Sequence, residues 1–251
     1  EYAVCCERGN IRTINQDNFW CAGHYLESEN NGLATPLYGR AESRSLPIFA
    51  VFDGLGGGKH GEVAAYLAAR TLEVRGSRKP KGDLKRFLSE LCDEMNTEVC
   101  LFIKANHISR MGTTAALLAF TDKEYYVGNI GDSKIFLYSA GNLTQLSHDH
   151  VASVAVGKKP PLTQCLGVSP DEFVIAPHLA QGKHTDGDRY LICSDGLTDM
   201  VTEEEIGKTL ACCEDPGDCV KALADSALAK GGVDNITIVL CDVHRKRRKD
   251  R

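Results

Sequence analysis

Thr113–Leu146 reads TTAALLAFTDKEYYVGNIGDSKIFLYSAGNLTQL, and its rhythm decides the class of fold. Four short strand-like runs, Thr113–Phe120, Glu124–Ile130, Lys134–Ser139 and Leu143–Leu146, are separated by turns that carry Gly or Asp. Connections this tight suit an antiparallel meander, because a parallel crossover needs a dozen or more residues. Upstream the period changes to that of helices. Glu62–Val74 directs Val63, Tyr66, Leu67 and Leu72 to one side, and in Asp83–Lys104 the apolar residues Leu84, Phe87, Leu88, Leu91, Met95, Val99 and Phe102 recur at three- and four-residue steps. Before these helices, Pro47–Phe52 is an apolar run that stops at Asp53 and Gly54, as a buried strand entering a tight turn would. The polar stretch Glu27–Ser45 reads as a loop.

Downstream, Glu172–Ala176 and Arg189–Cys193 are expected strands. Glu203–Leu210, capped by Thr202, and Gly217–Ala229 are expected helices, and Asn235–Val243 is an expected closing strand. Two helices, antiparallel strands, two more helices and a last strand argue for α+β layers rather than a doubly wound parallel sheet. With no internal repeat or low-complexity linker, one compact domain is expected over residues 1–244. The basic end, His244–Arg251 (HRKRRKDR), reads as a solvated tail over 245–251, or as a polybasic lead into a membrane segment.

The 251 residues are 43% hydrophobic, enough for a sizeable core, and their net charge of −5 provides no general attraction to nucleic acid. No apolar run approaches the roughly 20 residues of a membrane helix. The eleven cysteines are scattered, several within apolar runs, and none forms a C-x-x-C pair. That distribution fits reduced thiols in a cytoplasmic protein better than disulfides or a zinc site.

Four aspartates share one local setting. Asp53 (IFAVFDG) and Asp195 (YLICSDG) each end an apolar run and precede glycine. Asp132 follows a strand and Gly131 (YVGNIGDS), and Asp234 opens the last strand after Gly231 and Gly232 (GGVDNITIVL). Any one alone reads as a turn. Carboxylates converging at strand ends would repel unless cations neutralised them, and an all-oxygen donor set favours Mg²⁺ or Mn²⁺ over Zn²⁺.

Seven stretches resemble, in order, the metal-dependent protein phosphatases of the type 2C serine/threonine family, in its short bacterial form. They are RTINQDN (Arg12–Asn18), VFDGLGG (Val51–Gly57), GEVAA (Gly61–Ala65), MGTTA (Met111–Ala115), GNIGDSKIFL (Gly128–Leu137), CSDGLTD (Cys193–Asp199) and GGVDNIT (Gly231–Thr237). The resemblance implies a four-layer α/β/β/α sandwich, two central antiparallel sheets flanked by helix pairs. It implies hydrolysis of phosphoserine and phosphothreonine in proteins by a hydroxide bridging two Mn²⁺ or Mg²⁺ ions. Asp53 would bridge the two, with the Gly54 carbonyl on one and Asp195 and Asp234 on the other. Asp132, with Asp195, would serve a third ion. Arg12 would hold the substrate phosphate, Asp17 would hold metal-bound water, and Asn235 would support Asp234. Phosphorylated proteins, and a serine/threonine kinase acting on the same targets, are the implied partners of a monomer engaged in bacterial signalling.

Two departures from the family pattern stand out. Leu55 occupies a position where many eukaryotic relatives carry histidine, which leaves the leaving group's proton donor open, and His60 lies nearby at a helix start. VASVAVGKKPPLTQC (151–165) replaces a longer flap, with Lys158 and Lys159 as candidate contacts for an acidic partner. Two other readings compete. Cys6–Arg12 fits the C-x5-R pattern of cysteine-dependent phosphatases, but no histidine precedes Cys6, no convincing helix follows, and the pattern recurs at Cys241–Arg247. A pseudophosphatase acting as a binding module would be marked by a lost core aspartate, and none is lost.

Overall fold

The computed structural model describes residues 1–55, 60–76, 82–153 and 160–244. Lys158, Lys159, the glycines at 56 and 57 and the basic tail over 245–251 lie outside them. The chain opens with strands β1 (Tyr2–Glu7), β2 (Asp17–Cys21), β3 (Leu37–Gly39) and β4 (Ile48–Asp53), followed by helices α1 (Gly61–Gly76) and α2 (Leu84–Ala105). Next come β5 (Ala115–Phe120), β6 (Glu124–Ile130), β7 (Lys134–Ser139), β8 (Asn142–Gln145), β9 (His178–Lys183) and β10 (Arg189–Cys193). Helices α3 (Asp195–Thr198), α4 (Glu203–Cys212) and α5 (Pro216–Ala229) precede β11 (Ile236–Asp242).

The strands form two antiparallel sheets, one ordered β3-β1-β11-β10-β7-β8 and the other β2-β4-β5-β6-β9. Helices α1 and α2 cover the second sheet, while α3, α4 and α5 cover the first. The result is the expected α/β/β/α stack. Side-chain alternation distributes the core among three interfaces. In β5, Ala115, Leu117 and Ala119 meet Leu88, Leu91 and Met95 of α2, whereas Ala116, Leu118 and Phe120 enter the space between the sheets. In β11, Val239 and Cys241 point into that space, and Ile238 and Leu240 pack on α5 residues such as Val220 and Leu223. Central strands covered on both faces favour apolar residues at every position, which explains unbroken runs such as IFAVF and AALLAF.

The helix starts follow from local chemistry. Asp83 accepts a bond from the Lys85 N–H at 3.0 Å, and Thr202 and Glu205 exchange the reciprocal bonds of a capping box. Asp215 caps α5 by accepting from the Gly217 N–H at 2.8 Å.

Two local expectations are corrected. Glu172–Ala176 forms no strand: Phe173 and Val174 are exposed, and the edge strand is β9, a few residues later. Its sequence, HLAQGK, lacks an apolar alternation, and it becomes a strand by pairing with β6 from Glu124↔Lys183 to Asn129↔His178. Within Glu27–Ser45, read as loop, Leu37–Gly39 adds β3 to the edge of β1, and Ser43–Ser45 makes a 3₁₀ turn. Among the described residues no helix is long and apolar enough to cross a membrane.

Candidate metal centre

The sheet topology gathers the aspartates at one end of the sandwich. Asp17 begins β2, Asp53 ends β4, and the two are directly opposed in register. Asp132 follows β6 in the turn to β7, Asp195 opens α3 just beyond β10, and Asp234 stands just before β11. Asp53 is the focus. Its carboxyl group is held well above the ordinary carboxylate range by burial, then by the negative charge of Asp195, Asp17, Asp132 and Asp234. Asp17, almost wholly buried, is raised first by burial, against which a hydrogen bond from Ser194 works.

The supporting bonds come from across the chain. Ser194 Oγ donates to Asp17 Oδ2 at 2.7 Å and accepts from the Thr237 N–H at 3.0 Å, which joins β2, β10 and β11. The Asp53 main chain is clamped: its N–H donates to Thr114 Oγ1 at 3.0 Å, and its carbonyl accepts from Thr113 Oγ1 and the Thr114 N–H, each at 2.9 Å. Thr114 Oγ1 also bonds Ser133 Oγ at 2.7 Å, beside Asp132. Gly54 is squeezed between the end of the β1–β2 loop and the start of α1, so that a Cβ there would strike the carbonyl oxygens of Gln16 and Gly61. Gly196 has no more room, because a Cβ would strike the Asn235 carbonyl.

Arg12 lies at the rim. Its Nη2 donates to Asp234 Oδ2 at 2.6 Å, and that bond, followed by the charges of Asp234, Asp53 and Asp195, holds the guanidinium more firmly protonated. Asn235 supports Asp234 only through its main-chain N–H, which donates to Asp234 Oδ1 at 2.9 Å. Its side chain instead holds the β1–β2 loop. Its Oδ1 accepts from the Gln16 N–H at 2.9 Å, and its Nδ2 donates to the carbonyls of Arg8 at 2.8 Å and Ile14 at 3.0 Å.

Leu55 follows Gly54 at the site and is tied to Gly112 by a 3.0 Å main-chain bond. His60 is exposed and left-handed at φ 80°, and its carbonyl accepts the first N–H groups of α1. Cys6 is fully buried, where burial and then the charge of Asp17 push its thiol up to about 12. A thiolate nucleophile is therefore disfavoured, and the C-x5-R reading loses its chemistry. The sequence reading missed Ser194, Thr113, Thr114, Ser133 and Gln16 as organisers of the site. The signal was present, since Ser194 adjoins Asp195 and the threonines lie in MGTTA, but their partners are remote in the chain.

Among the described residues, no group of three or more His, Cys, Asp or Glu side chains is closed up into a ready-made metal cage. The donor chemistry nonetheless suits hard divalent cations. Five carboxylates share one pole, with Arg12 bonded to Asp234 at its edge, and Gly54 brings main-chain oxygen beside Asp53. A positive charge at this point would relieve the repulsion that adds to burial in raising Asp53.

Residues 38–226 match the model of the family described as protein phosphatase 2C. The serine/threonine protein phosphatase PstP of Mycobacterium tuberculosis (strain H37Rv) is 29% identical over 253 residues, covering 96% of this chain and 45% of that protein. The chain thus spans less than half the length of this relative. The serine/threonine phosphatase stp of Listeria monocytogenes (serovar 1/2a) is 28% identical, with 94% of this chain and 93% of that protein covered. A crystal structure of the catalytic domain of PstP in complex with two manganese ions superposes with a TM-score of 0.77 at 29% identity, covering 98% of each chain.

Proposed function

This chain belongs to the protein phosphatase 2C family, and from that membership we propose that it hydrolyses phosphoserine and phosphothreonine in proteins at the five-aspartate pole, with Mn²⁺ or Mg²⁺ as its cofactor. The observation that carries this reading is the convergence of Asp195, Asp17, Asp132 and Asp234 on Asp53, with Arg12 bonded at the rim.

Asp53, the Gly54 carbonyl, Asp195 and Asp234 would hold two divalent ions, and Asp132 with Asp195 would hold a third. Bound there, such ions supply Lewis acidity, making water at the site more acidic and neutralising phosphate charge. The protein's own groups do the remaining work. Arg12, released from Asp234, offers a forked donor to two oxygens of the phosphoryl group and stabilises charge developing on them. Asp17, fixed by Ser194, accepts hydrogen bonds from water and keeps it aligned for in-line attack. The Thr113–Thr114 clamp keeps Asp53 in place while charge shifts around it. With Leu55 where a histidine could have served, the leaving alcohol takes its proton from water.

The retained aspartates favour catalysis over a binding module, and the buried Cys6 disfavours a thiolate route. Eleven free thiols support a reducing, cytoplasmic setting, and the serine/threonine phosphatases among the bacterial relatives support phosphorylated proteins as substrates. Residues 1–244 act as one monomeric catalytic domain, with 245–251 as a basic tail. The test is phosphate release from a phosphothreonine peptide under Mn²⁺ titration, with EDTA as control and with Asp53→Asn and Cys6→Ser alongside. Turnover that needs metal and Asp53 but tolerates Cys6→Ser is the expected result. Metal-independent turnover lost with Cys6, or bound metal without turnover, would overturn it.

A further inference from the structure

Eight large hydrophobic residues are exposed among the described residues, and three of them, Ile11, Ile14 and Val233, lie on the two loops that carry Arg12 and Asp234. Isolated surface apolar residues need no explanation, but Ile11 and Ile14 lie within two residues of Arg12, and Val233 is next to the Asp234 that Arg12 bonds. Their exposures are 65%, 54% and 50%.

The loops are fastened together rather than loose. The Asn10 N–H donates to the Gly232 carbonyl at 2.8 Å, and Asn10 Nδ2 donates to the carbonyls of Leu228 at 2.9 Å and Gly231 at 3.1 Å. Two residues further along, Arg12 bonds Asp234 at 2.6 Å. Ile11 and Val233 are therefore the intervening pair between two bonded pairs, one residue from Arg12 on one loop and one residue from Asp234 on the other. Ile14 is fixed through its carbonyl, which accepts from Asn235 Nδ2 at 3.0 Å. Left-handed Gly9 lets the loops approach this closely, since a Cβ there would strike the Asp234 carbonyl. An apolar surface held this firmly loses little further freedom when it is covered.

We propose that Ile11, Ile14 and Val233 form a preformed apolar rim that selects phosphoprotein segments whose phosphorylated residue is flanked by aliphatic or aromatic side chains. The inference rests on the phosphatase reading, because it places the substrate phosphate at Arg12. An extended segment advances about 3.3 Å per residue, so a phosphate on Arg12 brings the neighbouring side chains to within reach of Ile11 and Val233. Apolar flanking residues bury surface against the rim, whereas charged ones would lose water there without gaining a partner.

The experiment compares kcat/KM for two phosphothreonine peptides that differ only at the flanking positions, Leu and Phe in one and Asp and Ser in the other. Wild type is compared with Ile11→Ser/Val233→Ser, and Ile11→Leu serves as the conservative control. Wild type should prefer the apolar peptide by about tenfold, and the double variant should reduce that preference to about twofold through KM, while Ile11→Leu retains it. Equal rates in wild type, or a preference that survives both serine substitutions, would overturn the inference. So would sedimentation showing a dimer that the double variant dissociates, because the rim would then be a surface between copies. Acetyl-phosphothreonine methylamide, which has no flanks, separates the two failures. If wild type releases no phosphate from it or from either peptide, the phosphatase reading itself fails.

Discussion

Asp53 sits where five carboxylates share one pole, and burial, reinforced by the charge of its neighbours, makes it hold its proton. A carboxyl that binds its proton more tightly in the folded chain than in the unfolded one lowers stability above its folded pKa and has no effect below the unfolded value. Without metal, Asp53→Asn should therefore raise the melting temperature at pH 8, and the gain should shrink as pH falls toward 5. Thermal melts at both pH values read this directly, and an unchanged or lower melting temperature at pH 8 would count against the repulsion argument. Glycine at 196 leaves the neighbouring pair no slack. Gly196→Ala should displace the Asn235 carbonyl and with it the spacing of Asp195 and Asp234. We expect it to cost about 100-fold in turnover, as small misplacements at reacting groups do, with the far-UV spectrum unchanged.

Helix α4 shows what a short local pattern can do. Thr202 receives the Glu205 N–H at 3.3 Å, Glu205 receives the Thr202 N–H at 2.9 Å, and Lys230 reaches the same carboxylate at 2.6 Å. Thr202→Ala should cost about 1 kcal/mol in urea unfolding and leave kcat unchanged, since the cap lies on the helix layer rather than at the aspartate pole. A loss of turnover with no loss of stability would mean that α4 positions the site, which its packing on β8 and α5 does not suggest. The β1–β2 loop behaves in the opposite way. It has no regular structure of its own and is held by remote partners: Asn235, the turn before β11, Asn30, Glu62 and the Gly54 N–H.

The sandwich as a whole holds its site between sheets, since Asp17 and Asp53 stand on one sheet and Asp195 and Asp234 adjoin strands of the other. Cations bound among them would tie the sheets together at that pole and bind the folded state alone. Mn²⁺ at about 100 times its Kd should then raise stability by roughly 2.7 kcal/mol, and EDTA should reverse the gain. Differential scanning calorimetry with and without Mn²⁺ measures this, and Asp53→Asn should lose most of the effect. A melting temperature indifferent to Mn²⁺ would argue against a metal centre between the sheets.

The sequence by itself determined the central strands, both long helices, the cap of α4 and the identity of the aspartates, because each depends on neighbours a few residues away. Runs such as AALLAF and IFAVF are unbroken because both faces are covered, and Thr202 acts within the first turn of α4. Only the tertiary structure decided β3 and β9, polar edge strands whose backbone bonds come from a partner strand. Only it brought Ser194 to Asp17 across 177 residues and Arg12 to Asp234 across 222. Periodicity and capping are properties of adjacent residues, whereas the repulsion at Asp53 and the rim around Arg12 depend on distances that exist only once the two sheets have closed on each other.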